Sequence, residues 1–110
     1  MGDRGNIKVV EEQGGVIYLY SHWGGSGLSE LVQVVLTRGQ RWEDESYLTR
    51  MFFSAMIDGE VNGDTGYGIS TYQTDENHPD VEVHIADQKI VIDSQAWTFE
   101  EFVALDEIPL

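Results

Sequence analysis

His22 and Trp23 place an imidazole beside an indole, and Gly24, Gly25, Ser26 and Gly27 follow at once. Upstream, Val16 to Ser21 reads as a strand; downstream, Leu28, Leu31, Val32, Val35 and Leu36 fall at i, i+3, i+4, i+7 and i+8, one face of a helix. A strand running through a glycine turn into a helix presents unpaired amides and the positive end of a helix dipole, and Ser26 is a candidate cap. Such a turn suits a small anionic or nucleotide-like ligand. The amides of Gly24, Gly25 and Ser26 would cradle the anion, and Trp23 would stack on a ring while His22 hydrogen-bonds it. Tyr20 and Tyr67 are candidate walls, with Arg4 or Arg50 as counter-charge. Arg50 has a second use, pairing with Glu43 or Asp44 near the start of its helix.

Other constellations carry less chemistry. The run lacks the G-x-x-x-x-G-K-[ST] pattern of a phosphate-binding loop. Asp58, Glu60, Asn62 and Asp64, with Gly63 sixth, match the first half of a calcium loop. Its closing glutamate is replaced by Ile69, which leaves a residual cation site or an acidic turn. Three histidines, His22, His78 and His84, form no H-x-x-x-H pair, and no serine lies in G-x-S-x-G. A hydrolase would have to use His22 as its base. No catalytic residue is assigned and no cofactor is expected beyond that partial calcium loop.

The elements that must position these residues follow from periodicity. Residues 5 to 12 and 16 to 21 predict a hairpin about Gln13-Gly14-Gly15. A first helix spans about 27 to 38 and stops at Gly39; a second spans about 45 to 57 with Asp44 as its cap and Leu48, Met51, Phe52, Ala55 and Met56 on one stripe. Residues 58 to 66 and 73 to 80 read as loops on either side of a strand at 67 to 72. Val81, Val83 and Ile85, then Ile90 and Ile92, predict a second hairpin. Thr98-Phe99-Glu100-Glu101 is a capping box with Trp97 and Phe102 as its staple, opening a helix of about 99 to 104 that Pro109 cannot continue.

The expected fold is one α+β domain over residues 1 to 110, in the order ββααβββα. It is a mainly antiparallel five-stranded sheet with two long helices on one face and a short C-terminal helix. Ile7, Val9, Ile17, Leu19, Ile69 and the apolar positions of the second hairpin should face the helices. The opposite face, with Val10, Val16, Tyr18, Tyr20, Tyr72, His84 and Val91, is too apolar to stand in water. Partial cover by the C-terminal helix through Trp97, Phe99 and Phe102 is favoured over a second subunit or a binding surface.

Composition narrows the function classes. The chain has no cysteine, so disulfides and thiolate chemistry are excluded. No apolar run approaches the roughly 20 residues of a membrane span, and no leader pattern opens the chain, so a cytoplasmic protein is expected. Net charge is −14, and residues 61 to 110 carry eleven acids against Lys89 alone. That surface repels phosphates and disfavours direct nucleic-acid binding. It also suits a docking face for a basic protein partner, mimicry of a nucleic-acid backbone, or plain solubility.

The segments Met1-Gly2-Asp3-Arg4-Gly5-Asn6, Tyr18-Leu19-Tyr20-Ser21-His22-Trp23-Gly24-Gly25, Gly66-Tyr67-Gly68-Ile69-Ser70 and Trp97-Thr98-Phe99-Glu100-Glu101-Phe102 together resemble a family of short, functionally uncharacterised proteins of bacteria and their phages. The resemblance spans nearly the whole chain and brings no activity that transfers residue by residue. It implies a small self-contained domain, mobile between phage and host, with a binding or interference role rather than metabolic catalysis. Two expectations therefore stand beside the hydrolase: a non-enzymatic domain with a ligand at the glycine turn, and an acidic protein-interaction module.

Overall fold

A computed structural model describes residues 2–73 and 76–108. Thr74 and Asp75 of the loop expected at 73 to 80, and Pro109, lie outside the described residues. In chain order the elements are β1 (Gly5–Val10), β2 (Val16–Ser21), a 3-10 turn (Gly25–Gly27), α1 (Leu28–Thr37), α2 (Glu45–Met56), β3 (Tyr67–Ser70), β4 (Val81–His84), β5 (Lys89–Ile92), β6 (Gln95–Thr98) and α3 (Phe99–Val103).

The class is α+β as expected, but the sheet has six strands, in the order β3-β2-β1-β4-β5-β6, and it is mixed. The β1–β2, β2–β3, β4–β5 and β5–β6 pairs are antiparallel, whereas β4 lies parallel to β1, with Ile7 opposite Val81 and Val9 opposite Val83. The sixth strand turns back from β5 through Asp93 and Ser94, Asp93 taking a φ of 54°. Left-handed aspartate suits a two-residue hairpin.

The helix-facing side of the sheet is the core. Ile7, Val9, Leu19, Val83 and Ile90 are buried there with Val32, Val35, Leu48 and Phe52 of the helices. Asp44 caps α2 by accepting the Tyr47 amide, and Gly39 ends α1 with a φ of 68°. The capping box of Thr98 and Glu101 is present, and Trp97 packs edge-on to Phe102 with ring centroids 5.5 Å apart.

One expectation fails. Phe99 and Phe102 are buried in the same core, and α3 packs against α1. The C-terminal helix therefore does not cover the far face, where Val10, Val16, Tyr18, Tyr20, His84 and Val91 are only half-buried. Ile69 pairs with Leu19 in register and so points to the helix side, yet it is 60% exposed because β3 is the edge strand.

Candidate functional site

The glycine turn is closed by the chain itself. Residues 2 to 4 cross it: the Asp3 amide donates to the His22 carbonyl (2.8 Å) and the Gly25 amide donates to the Asp3 carbonyl (2.7 Å). This crossing needs glycine at 25, since a Cβ there would lie 2.6 Å from the Arg4 carbonyl carbon. The Ser26 amide and hydroxyl both donate to Asp3 Oδ2 (3.1 and 2.6 Å), and His78 Nε2 pairs with Asp3 Oδ1. The Gly24 amide donates to Ser21 Oγ (3.0 Å), and that of Gly27 to the Gly24 carbonyl (3.0 Å).

The expected amide cradle is therefore not open to an external anion. Asp3 supplies the negative charge that a helix start attracts. Hydrogen bonds from Ser26, then from His78, hold its carboxyl below the usual aspartate range. Ser26 lies inside the 3-10 turn rather than capping α1, whose cap is Gly27.

The two rings remain at the surface. Trp23 is 56% exposed and lies across Gly66, where a Cβ would come within 2.3 Å of the indole. His22 meets Trp23 edge-on at 5.4 Å between centroids, and its Nδ1 is hydrogen-bonded to the Tyr20 hydroxyl at 2.8 Å. Tyr20, His22 and Trp23 are thus brought together, and the Arg4 backbone runs beside Gly25.

The remaining expected site residues lie elsewhere or are otherwise engaged. Arg4 hydrogen-bonds Asn77 through its amide and its side chain. Tyr67 is half-buried against the core. Arg50 is on α2, its Nη1 donating to Ser54 Oγ (3.4 Å); it pairs with neither Glu43 nor Asp44, and Arg41 takes Asp44 instead at 3.7 Å. Ser26 Oγ donates to Asp3 and His22 Nδ1 is hydrogen-bonded to the Tyr20 hydroxyl, so each of the two side chains is engaged by a partner other than the other.

Asp58, Glu60, Asn62 and Asp64 are all exposed. Among the described residues, no three His, Cys, Asp or Glu side chains gather as metal ligands. The partial calcium loop lies on an exposed turn, with Ile69 at its twelfth position.

Two concavities at the far end of β1 and along α2 were not expected from the sequence. One, of about 900 Å³, is lined by Glu11, Glu12, Glu43, Asp44 and Glu45, with Trp42 and Arg41. Its guanidinium is spoken for, lying beside Asp44 and 4.5 Å above the Tyr47 ring. The other, of about 300 Å³, runs between α2 and the β2–β3 pair and is walled by Ile17, Leu19, Phe53 and Ile69. Glu11 and Ser46 line both, so the apolar groove opens into the acidic hollow. The acidic surface expected in the C-terminal half is matched here by carboxylates from residues 11–12 and 43–45, which hairpin and helix geometry bring together across thirty positions of chain.

A carboxyl pair lies near the open sheet face. Burial, then the neighbouring Asp80 carboxyl, pushes Glu76 up to about 7, and burial also raises Asp80. No protein-family model, curated protein or solved structure matches the chain. Among the described residues, no helix is long and apolar enough to cross a membrane.

Proposed function

We propose that this chain is a non-enzymatic, acidic interaction domain that docks on a basic protein partner. The observation that carries this reading is the hollow of about 900 Å³ with five carboxylates on its walls against one guanidinium, Arg41, which pairs with Asp44, while Glu45 accepts the Glu12 amide. A net charge of −14 extends the same field over the surface, speeding encounter with positive partners and repelling nucleic acid. In the phage and host setting that the resemblance implies, such a domain would occupy a cytoplasmic protein's basic surface and withhold it from nucleic acid.

The test is a titration with a lysine-rich peptide at about 50 mM and about 500 mM salt, which changes the screening length several-fold. Binding that weakens steeply with salt supports the reading. Binding that is absent at low salt, or indifferent to salt, refutes it.

A second reading keeps a flat-ring ligand at Trp23, without the amide cradle. It is favoured by the indole's open face and by the glycine beneath it. Nucleosides that quench Trp23 fluorescence and raise the melting temperature would support it, and no response across a panel of bases would end it.

A further inference from the structure

The groove between α2 and the sheet edge has the shape and surroundings of an anchor site. On α2, Ser46, Thr49, Arg50 and Phe53 fall at i, i+3, i+4 and i+7, so they form one stripe roughly 10 Å long. Facing that stripe, Ile17 and Leu19 of β2 and Ile69 of β3 form an apolar floor. Ile69 is 60% exposed on the outermost strand, the only sheet position among the described residues where an isoleucine of the helix side is left in water. The groove does not end in neutral surface. Glu11 stands at its junction with the hollow that holds Glu12, Glu43 and Glu45.

We infer that this composite surface binds one kind of occupant, a partner segment with a large apolar side chain next to lysines or arginines. The apolar residue seats on Ile69, Leu19 and Phe53, and the cations lie over Glu11, Glu12 and Glu43. Charge complementarity selects this occupant, because on the groove and hollow together Glu11, Glu12, Glu43, Asp44 and Glu45 outnumber Arg41 and Arg50. A second copy of the chain would bring another −14 to a surface already negative, and an acidic segment would meet the same repulsion. A purely basic segment would leave the apolar floor wet, and a purely apolar one would leave the carboxylates unanswered. The inference rests on the reading of the chain as an acidic docking domain and adds where the partner is held and what it must carry.

The experiment uses two synthetic peptides of equal lysine content, one with a central leucine and one with serine in its place. Each is titrated by calorimetry against the full chain and against Ile69→Ser. Because Ile69 is mostly exposed, that variant should fold normally, with melting temperature as the check. Seating one leucine is expected to tighten binding about tenfold or more over the serine peptide. Ile69→Ser should erase most of that advantage and leave the serine peptide's affinity unchanged.

Equal, salt-sensitive binding of the two peptides would overturn the groove while leaving the docking reading intact. No binding of either peptide at low salt would overturn both. Self-association of the chain that Ile69→Ser abolishes would name a second copy as the occupant and overturn the proposal.

Discussion

Gly66→Ala probes how the exposed indole is held. At a φ of 95°, any residue with a Cβ is strained, and here the Cβ would also lie 2.3 Å from Trp23. The backbone part costs about 1–2 kcal/mol. The collision, or the loss of indole packing if Trp23 swings away, adds about 1–2 kcal/mol. In a domain of this size each kcal/mol lowers the melting temperature by about 4 °C, so the variant should melt roughly 8–16 °C below the parent. Gly59→Ala is the control, because Gly59 has a φ of 83° with nothing within 4 Å of its would-be Cβ. It should show the backbone part alone. In a Trp23→Ala background the excess of Gly66→Ala over Gly59→Ala should vanish, a coupling of about 1–2 kcal/mol measured by thermal unfolding. An excess that survives without the indole would refute the contact, as would no excess in the parent.

Two further expectations concern titrating groups. Asp3 has a lowered pKa, so its stabilising effect is present above the unfolded value of 3.8 and is lost as pH falls through the folded one. Asp3→Asn should therefore melt lower than the parent near neutral pH, with the difference closing as pH falls below 3.8 in a series of melts. Glu76 behaves oppositely. Its pKa, raised to about 7 by burial and by Asp80, favours the protonated form, so stability falls as pH rises from its ordinary 4.5 through about 7. Lys8 and Glu82 also act on Asp80, the first lowering and the second raising it. Glu76→Gln should flatten the melting temperature over that interval, and an unchanged slope would show that the loss has another source.

Local patterns were legible and distant ones were not. The alternation in β1, β2, β4 and β5, the stripe on α2 and the capping box at Thr98 are set by neighbours within a few residues, and each element appears where its pattern lies. The alternation of Val81, Val83 and Ile85 carries no mark of strand direction, so it did not reveal that β4 pairs parallel to β1. Gln95 to Thr98 has exposed Gln95 and Ala96 on a hairpin through Asp93-Ser94, which lacks the Asn-Gly signal of a tight turn, so the sequence pattern does not mark this strand. The closure of the glycine turn joins Asp3 to partners 23 and 75 positions away. The groove likewise needs a helix stripe and an edge strand to meet, which neither segment announces. Trp23, by contrast, is marked in the sequence by an indole followed by glycines, and it stands 56% exposed.

The most direct test of the docking account is residue-level mapping of a lysine-rich, leucine-anchored peptide by amide chemical shifts. Docking in the groove and hollow should perturb Glu11, Glu12, Glu43 to Ser46, Phe53 and Ile69 and leave Asp3, Gly24 to Ser26 and His78 unmoved. Perturbations confined to the glycine turn, or spread evenly over the acidic surface with no focus on α2 and β3, would contradict it.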